Sequence, residues 1–386
     1  MYNLETIMDE LIEKSLSTSA KSYQERSQFK IAKELHINAL KLQKKLLIID
    51  KKHYSSRIVT TLNALALIYR EENNSMLAIN YYKQSIFLRK KLFDSSLIKN
   101  RYELAKRYTD IANLYRREYK YEESEFFYNK ALEIYNIISL EDFDTFKVQI
   151  LNIHNYLSII CKEQDKFQET KDAYMGMLSI YQHLLTDESD EYKPELARTL
   201  SDLASLYFNN NKKNRAGEVY LLSLEILLHL YQKEPNNYKE TLALTLHRLA
   251  QIYTIQHEYT DALSAYRESL NHYIELAEEK PTKYGSYVAT IFKDLASFYR
   301  SQNKIKMAEY FHLKVVDLYT ELTHYNEYKY ALKLVSAIID GVAYYRQHTV
   351  SLYQAEAIIK IHRKNMQIDK LLDKIYHLRY DKNSVY

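Results

Sequence analysis

Glycine and proline are nearly missing from this chain. Its 386 residues contain 4 Gly and 3 Pro, where average usage would put about 27 and about 19. Gly supplies turns with φ > 0 and Pro supplies rigid corners, so a barrel, a sandwich or a doubly wound sheet is excluded. A single cysteine, Cys161, rules out an internal disulfide framework and a Cys-based zinc site, and makes a reducing compartment the default. The longest unbroken apolar run is six residues, 64–69, far short of the roughly 20 that span a bilayer. The start of the chain carries Glu5, Asp9, Glu10 and Glu13 where a secretory signal needs basic residues and an apolar core. These absences predict a soluble, cytoplasmic protein with no membrane partner.

Chemistry is scarce as well. Gly176, Gly217, Gly285 and Gly341 are isolated and cannot form a GxGxxG or GxxxxGK phosphate loop. None of the 13 His lies in HExxH or in an i, i+4 pair. Carboxylate pairs such as Glu122–Glu123 fall on solvated helical stretches, and Cys161 takes the place of a core residue. The expectation is a non-enzyme without metal or cofactor. The net charge of +4 is mild for this length and gives no reason by itself to invoke nucleic acid.

At 27% charged and 46% hydrophobic the chain is not disordered, and its dominant feature is a repeat. Ala66, Ala112, Ser158, Ala204, Ala250 and Ala296 follow one another at steps of 46 residues. Three residues after each stands Tyr69, Tyr115, Cys161, Tyr207, Tyr253 or Tyr299. Twelve after each comes a second small residue: Ala78, Ser124, Thr170, Ala216, Ala262 or Ala308. Four further on is Tyr82, Tyr128, Tyr174, Tyr220, Tyr266 or His312. The register extends back to Ala20, Tyr23, Ala32 and His36, and forward, with a slip of one, to Ala343 and Ala355. About eight units result. Within a unit, apolar positions such as Leu196, Leu200, Leu203 and Leu206 recur at helical spacing, polar stretches such as 209–214 break it, and a second amphipathic stretch follows. Each unit is therefore two antiparallel helices crossing at the small residues. Pro235 and Pro281, also 46 apart, mark the ends of second helices.

These residues resemble the tetratricopeptide repeat, with the small–x2–Tyr and small–x3–Tyr pairs and the second-helix Ala in place over nearly the whole chain. The usual period is about 34; the longer period here is similar to repeats of the kinesin light chain type. The family's glycine at the turn between helices is replaced by Asn73, Tyr119, Asp165, Asn211, His257 and Asn303, and its closing proline is displaced. The resemblance implies an all-α, right-handed superhelical α-solenoid, continuous over 1–352, followed by a C-terminal capping helix and tail over 353–386. Residues 353–380 read as one basic amphipathic helix, with a homodimer contact or a membrane-surface helix as lesser readings.

The resemblance also implies that first helices line a concave groove, at positions six and three before the marker residue and one, four and five after it. In six units these positions hold eight cations (Arg70, Lys106, Arg116, Arg117, Lys162, Arg198, Lys293, Arg300) and two anions (Glu71, Glu163). The difference, 8 − 2 = +6, exceeds the +4 of the whole chain. Much of the remainder can hydrogen bond: Asn63, Thr109, Asn113, Asn152, Asn155, Ser201, Ser205, His247, Gln251 and Ser297. An Asn amide donates and accepts together, which suits the backbone of an extended peptide, and cations attract carboxylate or phosphate. The expected function is a protein-interaction scaffold that binds an extended acidic or phosphorylated segment of a partner. The alternatives are a peptide-sensing regulatory subunit and, third, an RNA binder. The Lys/Asn pair four residues apart of chaperone-tail clamps is absent. Asp110, Asp202 and Asp294 recur every 92 residues and are candidates to bridge to a cation on the adjacent first helix, or are simply solvent-facing.

Overall fold

The computed structural model describes residues 4–92, 94, 97–185, 190–345, 350–361 and 368–380. They form 17 α-helices, a short 3-10 turn at Asp190–Tyr192, and no strand. Two compact units divide the chain, Met1–Leu184 and Leu185–Tyr386.

The first unit is four helix pairs: α1 (Leu4–Glu25) with α2 (Phe29–Leu46), α3 (Lys51–Glu71) with α4 (Ser75–Leu92), α5 (Ile98–Arg117) with α6 (Tyr121–Ser139), and α7 (Phe143–Glu163) with α8 (Phe167–Leu184). The second continues with α9 (Lys193–Asn209) and α10 (Lys213–Lys233), α11 (Pro235–Ile255) and α12 (Tyr259–Glu279), α13 (Pro281–Ser301) and α14 (Ile305–Tyr325), and α15 (Glu327–Tyr345) with α16 (Val350–Ile361) and α17 (Ile368–Tyr380). Within each unit every helix packs on the one before and the one after, the nearest-neighbour pattern of an α-solenoid. Two helices thus occupy 353–380, where one was expected, with 362–367 outside the described residues. Both α16 and α17 pack on α15, and Leu352, Ala355, Ile359 and Ile375 close an apolar cluster with Leu334, Ile338 and Val342.

The repeat columns explain the packing. Every marker residue from Ala20 to Ala296 is buried, as is every second small residue from Ala32 to Ala308. A small side chain at the crossing lets two backbones approach, and hydroxyls then reach across: Ser124 Oγ donates to the Ala112 carbonyl at 2.9 Å, Ser223 to Ala197 at 2.9 Å and Ser269 to Ala243 at 2.7 Å. These bonds tie the start of α6 to the end of α5 and the later part of α10 and α12 to the early part of α9 and α11, so the pairs are antiparallel. The large residue four positions on, from Tyr82 and Tyr128 to His36 and His312, is buried in each unit. Burial pushes the Cys161 thiol up to about 12, as befits a packing residue.

The turn between first and second helix is the same device in the seven pairs from α1–α2 to α13–α14. Ser27, Asn73, Tyr119, Asp165, Asn211, His257 and Asn303 all have φ between 55° and 64°, at 46-residue steps. In the α3–α4 turn, Asn73 N–H donates to the Arg70 carbonyl at 3.0 Å and Asn74 N–H to the Tyr69 carbonyl at 2.8 Å. That pair of bonds is the Schellman closure of a helix C-terminus. All seven hold the left-handed backbone without glycine. Between pairs, Pro235 and Pro281 are the first residues of α11 and α13, where a missing N–H costs nothing. Glu234 and Lys280 before them adopt φ −137° and ψ 74°, outside the helical region as a following Pro requires.

Two stability predictions follow from these positions. Tyr119 is 79% exposed yet holds φ 58°, a conformation that costs a side chain about 1–2 kcal/mol. Glycine's extra unfolded-state freedom cancels part of that gain. Tyr119→Gly should raise the unfolding free energy by about 0.5–1 kcal/mol in urea titrations, whereas Asn73→Gly should be close to neutral. The second prediction concerns acid. Burial pushes His36 and His154 down to about 4, below the usual 6.5 of the unfolded chain. The unfolded state then binds protons that the folded state refuses. Stability is complete above pH 6.5 and falls between pH 6.5 and 4, by up to about 3 kcal/mol for His36. His36→Tyr, which restores the residue of five other units, should flatten the pH dependence of the urea midpoint over that window.

Candidate functional site

The first-helix face of the first unit is built on α3, α5 and α7. Arg116 on α5 lies over the Tyr156 ring of α7 at 4.8 Å, and Tyr156 stacks on Tyr128 of α6 with centroids 5.5 Å apart. The Tyr128 hydroxyl donates to Asn113 Oδ1 at 2.7 Å. Arg116 is thus held by an aromatic face, a contact that favours a guanidinium. Arg70 on α3 is drawn to its neighbour Glu71 at 2.9 Å. Thr109 Oγ1 donates to the Ala105 carbonyl at 3.0 Å. By contrast Lys106, Arg117 and Lys162 are exposed, with no ion-pair partner within 4 Å among the described residues. Asn152 is exposed and Asn155 half-buried, and Asn63 keeps a buried Oδ1 with no partner.

The second unit treats the same columns differently. Asp294 on α13 accepts hydrogen bonds from Gln251 Nε2 of α11 at 2.8 Å, and its Oδ2 lies 2.7 Å from His247 Nε2. Arg248 Nη1 donates to Gln251 Oε1 at 3.0 Å and its guanidinium lies 5.5 Å from the Phe208 ring centroid on α9. Lys293 lies 3.7 Å from Asp340 of α15, and Arg300 lies over Tyr344 at 4.0 Å. Ser201 Oγ bonds Ser223 Oγ at 2.8 Å, and Ser205 Oγ bonds the Tyr220 hydroxyl at 2.7 Å. Only Arg198 among the cations expected on this face is exposed and unpaired among the described residues.

Asp294 therefore does bridge to the adjacent first helix, but through His247 and Gln251 rather than Arg or Lys. Asp110 turns the other way and pairs with Arg107 on its own helix, Oδ2 to Nη1 at 2.7 Å. Burial raises Asp110 above the usual carboxylate range despite the cations around it. Arg107 itself is 7% exposed, sits 5.5 Å from the Tyr82 ring centroid and was not anticipated. A signal existed: its column reads Thr61, Arg107, Ile153, Thr199, Thr245, Ile291, and one Arg interrupts it. A second unanticipated network fills the first helix pairs. Glu13 is fully buried and accepts from Ser17 Oγ at 2.7 Å and Gln43 Nε2 at 2.6 Å, while Arg57 Nη2 reaches its other oxygen at 2.7 Å. Such a charge needs every partner to offset its desolvation.

No group of three His, Cys, Asp or Glu among the described residues is placed to hold a metal ion, and no described helix is long and apolar enough to cross a membrane.

No family model and no curated protein matches the chain. Solved structures similar to it include the C-terminal part of a TPR repeat-containing protein from Cytophaga hutchinsonii, at 12% identity, TM-score 0.46, over 78% of this chain and 94% of that one. TPR-like repeats of kinesin light chain type from Podosopora anserina match at 17% identity, TM-score 0.41, over 57% and 96%. BtubC from P. vanneervenii matches at 20% identity, TM-score 0.39, over 64% and 92%. The helix-pair solenoid rests on the chain's own buried columns and turns.

The Asp294 contact between α11 and α13 is measurable. In a double-mutant cycle of His247→Ala and Asp294→Ala, urea titrations should give a coupling of about 1–2 kcal/mol, the worth of a charge-assisted bond shielded from water. Additive losses would mean that the pair does not form.

Proposed function

We propose that the chain is a non-enzymatic interaction scaffold, and that the first-helix face of its first unit takes an extended acidic or phosphorylated segment of another protein. The observation that carries this reading is the contrast between the two units. In the second, the expected binding residues His247, Gln251 and Lys293 are engaged with Asp294 and Asp340. In the first, Lys106, Arg117 and Lys162 stand exposed on neighbouring first helices, with Asn152 and Asn155 on the same helix as Lys162. Unpaired cations need not break an internal contact to meet a carboxylate or phosphate. Asn side chains supply the donor and acceptor that an extended backbone leaves open. Arg116, held over Tyr156, adds a guanidinium whose geometry suits a planar or tetrahedral anion. Arg198 of the second unit belongs to the same class of unpaired cation.

An array of extended peptides tests this. Glu-rich and phosphoserine-containing sequences should bind, and the same sequences with Gln and Ser should not. Arg117→Glu with Lys162→Glu should weaken the best binder at least tenfold, and affinity should fall as salt is raised. Unchanged affinity in the charge-reversed protein would overturn the reading. So would equal binding of the neutral peptides.

A further inference from the structure

A second charged surface lies away from the first-helix face, at the end of the first unit where one helix pair connects to the next. The chain there reads Lys44-Lys45-Leu46-Leu47-Ile48-Ile49-Asp50-Lys51-Lys52 between α2 and α3. One repeat later Lys90 and Lys91 close α4 and Lys99 opens α5. Because the helices within a pair are antiparallel and successive pairs stack, both connections fall at the same end of the unit. Lys44, Lys51, Lys52, Lys90, Lys91 and Lys99 are all exposed. The acids nearby are partly spent. Asp50 Oδ1 accepts from the His53 N–H at 2.9 Å as a helix cap, and Glu5 and Asp9 share Lys45 at 3.0 and 2.7 Å. The basic character stops at the following connection, where Glu141, Asp142 and Asp144 take over.

Charge alone would describe a solvated edge. What sets this edge apart is that apolar tips stand close to lysines: Ile48, 91% exposed, lies between Lys45 and Lys51, and Leu97, 56% exposed, lies between Asp94 and Lys99, whereas Leu140, the 87% exposed tip of the following connection, stands beside Glu141 and Asp142. Aliphatic side chains presented to water lose free energy unless they enter an apolar phase, and a row of lysines around them favours a surface that is negative. A nucleic-acid backbone would answer the lysines but offers no place for Ile48. The interfacial zone of an anionic membrane answers both, with ammonium groups on the phosphates and the aliphatic tips among the upper acyl chains.

We infer that the α2–α3 connection, together with Lys90 and Lys91 at the end of α4 and Leu97 and Lys99 at the start of α5, forms a peripheral docking edge for an anionic lipid surface, separate from the peptide-binding face. Flotation with vesicles decides the matter. The full chain should float with vesicles of phosphatidylcholine carrying about 30% phosphatidylserine, and not with phosphatidylcholine alone. Raising salt should release it. Lys51→Glu with Lys52→Glu, which places acids at a helix start where they are tolerated, should cut the bound fraction at least fivefold. The charge-matched pair Lys306→Glu with Lys314→Glu on α14 should not. Ile48→Asn keeps every charge and should also reduce binding severalfold, and circular dichroism should show each variant folded. Failure of the wild type to float with anionic vesicles at low salt would overturn the inference. Full binding by Ile48→Asn, or a single-stranded RNA 20-mer binding with the same lysine dependence and indifference to Ile48→Asn, would overturn it too and mark a purely electrostatic contact.

Discussion

The close approach of two helices at a small residue is the constraint from which the rest of the structure proceeds. An alanine or serine at the crossing brings backbones near enough for a hydroxyl on one helix to reach a carbonyl of the other, as Ser223 reaches Ala197. That approach leaves a gap one turn on, and a tyrosine or histidine of fixed size fills it. The tyrosine is long enough for its hydroxyl to emerge on the first-helix face, where Tyr128 meets Asn113 and Tyr220 meets Ser205. A packing requirement thus reaches through to the polar surface and decides which of its side chains remain available.

Period and register made the fold legible. A 46-residue step held across six markers fixes which residues are buried and where each pair turns, and those positions include the non-glycine turn residues from Asn73 to Asn303 with φ near 60°. The polar face was less legible. Its columns could be listed, but column position says only where a side chain starts, not what it meets. His247 and Gln251 both end on Asp294 because the next helix brings that carboxylate within reach, and no periodicity encodes such a distance. Arg107 and Glu13 were invisible for another reason: a buried charge is a departure from the pattern, and a reading built on recurrence looks past it.

The two units arrange the polar side chains of one scaffold differently. In the second, acids from one helix pair meet the polar side chains of the previous pair, which uses up part of its hydrogen-bonding capacity. In the first, Lys106, Arg117 and Lys162 are exposed with no ion-pair partner within 4 Å among the described residues. Side chains that could bind a partner compete with neighbours that could satisfy them internally, and the balance is struck column by column.

Contacts between neighbouring pairs also fix how far apart in the chain interacting residues lie. The Tyr330 hydroxyl reaches the Thr282 carbonyl 48 residues back, about one period, and His247 reaches Asp294 across 47. Loops of that size close at modest entropic cost. Each pair can therefore order on whichever neighbour is already formed, with no long excursion of the chain to complete. During synthesis, an emerging hairpin has its template immediately behind it.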